Sequence, residues 1–545
     1  MHLSETISRR IQAISILLIP LAAFLTYSAV FSHDFLITWD DSGYITENPM
    51  VHGFSTAHVI EAFKSVVIGN YAPLHLISYM VDYFFWGLDP RGYLLANILL
   101  HALNGLLLYR ILAAHFLPHA TALFAALVFI VHPVQVESVA WISERKNVLS
   151  MLFFLLAFAS YLKAGTRQRH YLLAIGCFAA ALLTKTVTVI LPCMLVLHSI
   201  CFPEQRPLPL RRTIPFFLLA VLAAGVTIVV QGPEHGGGRT PFYGGSLLAT
   251  AMTMLPVLFT YVRIVFLPIG LSADYLVPIR TTPDLVVLAS FLFLCVLITL
   301  GYRLYRTNRP LFFWYSLFFL GLLPVSQIIP IITLMNDRYL YFPMLGAAVF
   351  LASLAQMIGR RLNDRNRRTG AVAAILIIVI CGVLSWSRTG VWKNDLVLWQ
   401  DAIDKNPENF SAWAEYGAAL NANRQVSAAL EAYKRALSLN PESWLALTNI
   451  SLLYLQENDL LNARHFIFRH IGAYPEDPAA YVNLGRSYYL GGNFTQSEKA
   501  YLEAVKRNPT LVEPIMALAD IYLKTGRHLQ GEEMLRRLNS LQARR

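Results

Sequence analysis

The sequence predicts an all-α protein in two parts, a polytopic bundle of about eleven membrane-spanning helices followed by a solenoid of helical repeats. Three observations lead to this prediction. Only 14% of the 545 residues are charged, whereas soluble proteins carry about 25%. Residues 1–391 carry 27 Lys or Arg and 16 Asp or Glu, whereas residues 392–545 carry 17 of each. In this second part, prolines recur at a fixed interval.

Long apolar runs fill residues 1–391 and set the number of predicted spans. A helix needs about 20 apolar residues to cross the core of a bilayer. The first run follows Arg9 and Arg10, so the N-terminus is predicted to be cytoplasmic and the first span uncleaved. The predicted spans are 11–31, 93–113, 119–131, 148–162, 171–184, 187–202, 213–231, 285–302, 311–330, 340–358 and 371–388.

One further apolar run, 247–270, is predicted to lie on or partly in the outer face. It contains Arg263 between Pro256 and Pro268. If it crossed, the Arg-rich loop 359–370 would face outward, against the positive-inside rule. The odd number of spans then places the repeat part on the far side of the membrane. Because the net charge of +11 lies in the apolar part, membrane topology accounts for it, and nucleic-acid binding and disorder are excluded as the main interpretation.

Residues 392–545 have a regular period. Pro407, Pro441, Pro475 and Pro509 stand 34 residues apart, which is the period of the tetratricopeptide repeat. Small residues and tyrosines recur at the pattern positions and predict paired helices that pack closely. The predicted units are a half repeat at 394–409 and four repeats at 410–443, 444–477, 478–511 and 512–545, of which the last is degenerate and caps the array.

The large external loop 32–92 contains the most informative polar feature. Asp40 and Asp41 are adjacent, just beyond the first span, and lie between Trp39 and Tyr44. A carboxylate held at a membrane edge can act as a general base on a hydroxyl group or bind a metal ion. On its own, the pair is also explained by a solvated acidic turn.

The remaining candidate site residues fall on the same predicted outer side. Arg338 begins the tenth span and suits either a phosphate or a lipid headgroup. Lys185 lies between two short spans. It either contacts a phosphate or merely ends a helix. The loop 132–147 contributes Arg145 and Lys146 as anion partners, with a structural salt bridge as the alternative. The other candidates are His75, His132, Glu137 and Glu144.

The sequence requires no cofactor. His132, Glu137 and Glu144 do not match the spacing of a strong metal motif, so a divalent metal stays an alternative only at Asp40 and Asp41. We find no Walker loop, no dinucleotide-binding fingerprint and no nucleophile elbow. Nucleotide-driven chemistry on this chain is therefore not expected.

Several segments together resemble a known family. The chain resembles bacterial membrane-embedded tetratricopeptide proteins, which are similar to the eukaryotic transmembrane-and-tetratricopeptide O-mannosyltransferases, all within the glycosyltransferase C superfamily. The similarity covers nearly the whole chain, and it departs at Lys185-Thr186, where Lys-Pro is expected. The segments that carry it are WDDSGYITENPMV, YAPLHLISYM, NILLHALN, HPVQVESVAWISERKNVLS and LLTKTVTVILPCMLVL.

This resemblance implies an enzyme. Members of the superfamily transfer a sugar from a polyprenyl-phosphate carrier to an acceptor on the far side of the membrane. The acidic pair of the first external loop maps onto Asp40 and Asp41, and a late arginine that serves the lipid phosphate maps onto Arg338. The resemblance therefore predicts an inverting hexosyltransferase that transfers a mannose-like sugar. The enzyme is expected in a bacterial inner membrane, and its periplasmic repeats are expected to bind the protein acceptor. The alternative is a non-catalytic membrane-anchored scaffold for envelope or secretion assembly.

Overall fold

The computed structural model describes residues 2–165, 167–205, 208–232, 240–361 and 364–542. Within these ranges the chain is built from α-helices, short 3-10 segments and turns, and the one recorded β-bridge joins Val67 to Asn70. The all-α prediction is therefore confirmed. The chain divides into two compact units, Met1–Leu398 and Trp399–Arg545.

The first unit contains the helices of the apolar part, and the last of them, α16, continues past Leu398 into the second unit. In chain order they are α1 His2–Tyr27, α2 Thr56–Ala62, α3 Pro73–Trp86, α4 Pro90–His115, α5 His119–Val131, α6 Val136–Ala140, α7 Arg145–Leu162, α8 Gln168–Leu182, α9 Leu191–Cys201, α10 Ile214–Val230, α11 Leu247–Phe266, α12 Leu285–Thr307, α13 Arg309–Leu322, α14 Pro343–Arg360, α15 Asp364–Thr389 and α16 Asp395–Lys405.

Eight helices of the described chain are long and apolar enough to cross a membrane. A ninth crossing is formed if α5 and the segment Pro133–Ala140, which meet at a bend of 53°, count as one span. Large apolar side chains such as Leu17, Val221 and Leu285 are exposed on these helices, as lipid contact would require. The chain is thus a polytopic helical membrane protein.

The predicted count of eleven crossings stays a prediction, because several predicted spans are short. Helix α8 has 15 residues, which at about 1.5 Å per residue falls short of a core about 30 Å thick. Helices α9 and α13 belong to two further apolar segments of 10–17 residues. The segment 247–270, predicted to lie on or partly in the outer face, contains the continuous helix α11 with Pro256 inside it. This helix is long and apolar enough to cross a membrane, and its placement stays a prediction.

The second unit consists of antiparallel helix pairs that follow the predicted repeats. Two pattern glycines show why small residues are needed between the paired helices: a Cβ atom at Gly417 would lie 2.6 Å from the ring of Tyr433, and one at Gly485 would lie 2.7 Å from the ring of Tyr501. The pairs are α17 Phe410–Ala422 with α18 Val426–Leu439, α19 Trp444–Gln456 with α20 Leu460–Ala473, α21 Pro478–Leu490 with α22 Phe494–Arg507, and α23 Val512–Lys524 with α24 His528–Gln542.

The boundary between the units lies at Leu398–Trp399, slightly after the change in composition at 391–392. The intervening residues pack on the first unit. Asp395 accepts hydrogen bonds from the backbone N of Ile37 at 3.1 Å and from Thr38 Oγ1 at 2.7 Å. A polar segment is thereby held on the apolar unit by specific contacts, which composition does not reveal.

Candidate functional site

Seven charged side chains from four separate parts of the first unit meet near the start of α7. They come from the loop 32–92, from the stretch that runs from α6 to the first turn of α7, from the connection after α8, and from the 3-10 turn before α14. We call them the charged cluster: Asp40, Asp41, Glu137, Glu144, Lys146, Lys185 and Arg338.

Asp41 is the structural member of the adjacent acidic pair. It is 1% exposed. Its Oδ2 accepts from the backbone N of Leu36 at 2.9 Å, and its Oδ1 accepts from the backbone N of Ser143 at 3.1 Å and from Ser143 Oγ. Burial raises the pKa of Asp41 to about 7, while these hydrogen bonds act in the opposite direction. Burial disfavours the charged form of Asp41 and the three donors favour it, and the carboxyl group joins the first loop to the turn before α7.

Asp40 is the accessible member of the pair. Its side chain is 23% exposed, and its Oδ2 lies 3.8 Å from the Nζ atom of Lys146. The ammonium group of Lys146 also lies 5.2 Å from the centre of the Tyr44 ring. The two adjacent carboxylates therefore have different surroundings, and Asp40 is the one placed to receive a proton from another molecule.

Glu144 is the buried anion of the cluster, 1% exposed. Its Oε1 lies 3.2 Å from Lys146 Nζ, and its Oε2 lies 3.0 Å from Lys185 Nζ. Asn147 Nδ2 also donates to Oε2 at 2.7 Å. Burial lowers the pKa of Lys185 to about 8, although Glu144 raises it. One carboxylate thus holds two lysines that are 39 residues apart in the sequence.

Arg338 pairs mainly with Glu137. Its backbone N donates to Glu137 Oε2 at 2.8 Å, and its Nη1 donates to Glu137 Oε1 at 2.5 Å. Its Nε lies 3.5 Å from Glu144 Oε1. The guanidinium carbon lies 5.4 Å from the ring centre of Trp141 and 5.9 Å from that of Trp39. A planar cation held by a carboxylate and by aromatic faces is well ordered, but much of its hydrogen-bonding capacity is used within the protein.

A small, open pocket adjoins the two lysines. The loop 32–92, the connection after α8 and the end of α10 form its walls, and the side chains of both lysines line it. The lining residues are Gly69, Asn70, Tyr71, Ala72, Lys146, Thr184, Lys185, Thr186, Thr227, Val230 and Gln231. The described side chains therefore offer an anion two lysines at the wall of one cavity.

The two candidate histidines support the backbone around the cluster. His75 is buried, its Nε2 lies 2.8 Å from Tyr79 Oη, and Tyr79 Oη donates to the carbonyl of Ile142 at 2.7 Å. Burial lowers the pKa of His75 well below its ordinary value, so it is neutral. His132 Nε2 lies 3.0 Å from the carbonyl of Val265 in α11. The structure does not bring either imidazole to the acidic pair.

Arg145 points away from the charged cluster, although it precedes Lys146 in the chain. Its guanidinium is buried, pairs with Asp82 and donates through Nε to Asn97 Oδ1 at 2.8 Å. Nη2 donates to the carbonyl of Tyr93 at 2.6 Å. These contacts tie α7 to α3 and α4, and the position favours the structural alternative over the predicted contact with the donor phosphate.

Replacing Arg145 by Met is expected to destabilise the protein by about 3–5 kcal/mol, because Asp82 would be left buried without its partner. The measurement is the thermal unfolding midpoint of the purified protein in detergent. Arg91→Met is the matched control, since the Arg91–Asp89 pair is exposed and should change the midpoint little. A wild-type midpoint combined with a loss of donor binding would instead support the original assignment of Arg145 to the phosphate.

Several contacts of the site were not predicted from the sequence. Ser143 and Asn147 hold Asp41 and Glu144, and they lie within the segment that carries the family resemblance. Trp392 stacks with Trp39 and Trp141, with ring centres 6.2 and 5.8 Å away. No local pattern indicates Trp392, since it lies 251 residues after Trp141 and 353 residues after Trp39 in the chain.

The predicted alternative of a metal at Asp40 and Asp41 has no further ligands near it. Among the described residues, no group of three or more His, Cys, Asp or Glu side chains is arranged to hold a metal ion. Both oxygens of Asp41 accept hydrogen bonds from protein donors. Metal dependence stays an open prediction.

Comparison with known proteins identifies relatives of both parts. The family model described as "Tetratricopeptide repeat" matches residues 398–443, 418–478 and 466–511. Human protein O-mannosyl-transferase TMTC3 is 22% identical over 521 residues, which is 85% of this chain and 56% of the relative. The chain is similar to the protein O-mannosyl-transferases. The Drosophila melanogaster Tmtc3 protein is 23% identical, over 84% of this chain and 59% of its own length.

The resemblance predicted from the motifs is thereby confirmed. The similarity is highest in one short stretch: mouse TMTC1 is 41% identical over 93 residues, which is 17% of this chain and 10% of the relative. The match with the human and Drosophila melanogaster relatives covers most of this chain, but only 56% and 59% of the length of those relatives.

Proposed function

We propose that this chain is an integral-membrane glycosyltransferase that moves a mannose-like hexose from a polyprenyl-phosphate carrier to a protein hydroxyl group. One observation carries the proposal: an accessible carboxylate, Asp40, lies 3.8 Å from an ammonium group, Lys146, that lines a pocket together with Lys185. Transfer from a sugar phosphate requires a base for the acceptor and cations for the leaving phosphate.

The reaction is a direct displacement at the anomeric carbon of the sugar. The acceptor oxygen forms a bond to that carbon as the bond to the phosphate oxygen breaks, and Asp40 takes the proton of the acceptor hydroxyl. Polyprenyl phosphate leaves with an additional negative charge, which Lys146 and Lys185 stabilise. Attack opposite to the leaving phosphate inverts the configuration. The residues present supply both groups, and no step calls on a cofactor.

The phosphate contacts differ from those that the family resemblance implies. Arg338 is held by Glu137, and Arg145 is held by Asp82. Lys146 and Lys185 share one counterion and line the pocket. We therefore assign the phosphate to the two lysines. Arg338 instead orders Glu137 and the rings of Trp39 and Trp141 next to it.

We place the reaction on the extracytoplasmic face of a bacterial inner membrane. The N-terminus is cytoplasmic and the repeats are extracytoplasmic, because the Lys and Arg excess is best accommodated on cytoplasmic loops. The repeats bind the protein acceptor along their concave face, and the carrier lipid occupies the surrounding bilayer. The similarity to protein O-mannosyl-transferases supports a protein acceptor and a mannose-like sugar.

The decisive experiment is mass spectrometry of envelope glycopeptides from cells with and without the gene. We expect hexose on serine or threonine of specific envelope proteins, lost on deletion and restored by the wild-type gene. Identical glycopeptides in both strains would contradict the proposal. If, in that case, envelope complexes failed to assemble without the gene, the scaffold alternative would be favoured, for which the repeats alone are sufficient.

A further inference from the structure

Glu144 has an unusual position among the acidic groups of the charged cluster. It is buried, and its two carboxylate oxygens contact different lysines, with Oε1 3.2 Å from Lys146 and Oε2 3.0 Å from Lys185. The two lysines reach it from separate elements, the first turn of α7 and the connection after α8. One carboxylate therefore holds both ammonium groups, and both lysines line the same pocket.

The lysines remain accessible from the pocket while they contact Glu144. Their side chains are 11% and 21% exposed, whereas that of Glu144 is 1% exposed. An ammonium group has three N–H donors, so it can bind a buried carboxylate on one side and a phosphate on the other. Arg338 does not take over this role, because its principal partner is Glu137.

From this arrangement we propose that Glu144 is a positioning residue for the donor phosphate: it brings Lys146 and Lys185 together at the pocket wall as one anion-binding pair. The inference rests on the proposed function, which supplies the phosphate. Glu144 itself touches neither the sugar nor the acceptor. It offsets the repulsion between two ammonium groups that are partly removed from water, where charges interact more strongly.

The protonation of Lys185 depends on the same carboxylate. Burial lowers the pKa of Lys185 to about 8, Lys146 and Arg338 also lower it, and Glu144 raises it. His75, which also interacts with Lys185, is neutral because of burial. Loss of the Glu144 charge would therefore move the deprotonation of Lys185 to lower pH. A phosphate bound by this pair should be released as the pH rises through the pKa of the lysine.

The test uses the full-length protein in detergent and farnesyl phosphate as a short polyprenyl monophosphate probe. Glu144→Gln keeps the size of the side chain and an acceptor for Asn147, but removes the charge. We expect farnesyl phosphate to bind roughly 10- to 100-fold more weakly, the range for a lost charge-assisted hydrogen bond. The pH at which binding is half lost should also fall below the wild-type value. Under turnover, the KM for the lipid donor should rise far more than kcat falls.

A double-mutant cycle separates positioning from a general structural defect. If Glu144 acts through Lys185, then Lys185→Met and Glu144→Gln together should weaken farnesyl phosphate binding by less than the product of the two single effects. Multiplicative effects, or an unchanged pH midpoint in Glu144→Gln, would overturn the proposal. If Glu144→Gln fails to fold, Glu144→Asp is used for the test. Aspartate keeps the charge, so the pH midpoint should stay near that of the wild-type protein. Because its side chain is shorter, farnesyl phosphate should bind roughly 10-fold more weakly. Wild-type affinity in Glu144→Asp would then contradict positioning.

The result also distinguishes this inference from the proposed function. If the wild-type protein does not bind farnesyl phosphate, the assignment of the pocket to a lipid phosphate is wrong. If the wild-type protein binds and Glu144→Gln binds equally well at all pH values, the pocket assignment stands and the role of Glu144 is wrong.

Discussion

Asp40→Asn is expected to lower the rate of sugar transfer at least roughly 100-fold, which is the lower end of the contribution of a general base. Asparagine has the same shape as aspartate, but it cannot take the proton of the acceptor hydroxyl. Because Lys146 keeps its closer contact with Glu144 at 3.2 Å, the binding of the lipid donor should change little. The measurement is the initial rate of hexose transfer at saturating donor, together with the affinity for farnesyl phosphate.

Glu47→Gln is the control for this variant. Glu47 lies in the same external loop, is exposed, and belongs to none of the contacts of the charged cluster. Its replacement should leave both the transfer rate and the affinity unchanged. Full activity in Asp40→Asn would show that Asp40 is not the base. A loss of activity that appears only in Asp41→Asn would assign chemistry to the carboxylate that holds Ser143 and Leu36.

Lys185→Met is expected to weaken binding of the lipid donor by roughly 10- to 100-fold, because a charge-assisted contact to phosphate contributes about 1.5–3 kcal/mol. Methionine keeps the aliphatic body of the side chain and removes the charge. In the wild-type protein, donor binding should be strongest below pH 8 and fall as the pH rises through about 8, where Lys185 loses its proton. In Lys185→Met this step in the pH profile should disappear.

Lys64→Met provides the matched control, since Lys64 is an exposed lysine of the same external loop. It should retain both the affinity and the pH profile of the wild-type protein. If Lys185→Met binds the donor as tightly as the wild-type protein, Lys185 does not bind the phosphate, and its contact with Glu144 has only a structural role. If the step near pH 8 persists in this variant, another group of the site is responsible for it.

The helical architecture could be predicted because it depends on local and repetitive properties of the chain. Apolar runs such as 285–302 have no plausible position other than a bilayer or a core, and α12 forms there. The spacing of Pro441, Pro475 and Pro509 defines repeats because each helix pair must bury the same apolar face against its neighbours. In 247–270 the helix α11 forms with Pro256 inside it, since one proline removes only one helical hydrogen bond.

The members of the site could also be predicted in part. Charged groups near a membrane face require partners or a function, which predicts Asp40, Asp41, Lys146, Lys185 and Arg338 as site residues, and the structure brings these five together. The same argument predicts Arg145. It lies elsewhere, because successive residues at the start of a helix point in different directions and Asp82 lies on its side.

The sequence by itself determined that this protein has a membrane part, a repeat part and a set of charged residues on one predicted face, because composition and periodicity are properties of the chain. Only the tertiary structure decided which charges are partners. Asp41 is held by Ser143 from 102 residues away, while its neighbour Asp40 faces Lys146. Glu144 contacts two lysines from separate elements, the first turn of α7 and the connection after α8. A charge is visible in the sequence, but the energy of a charge depends on its neighbours and its exposure to water, and both are set only by folding.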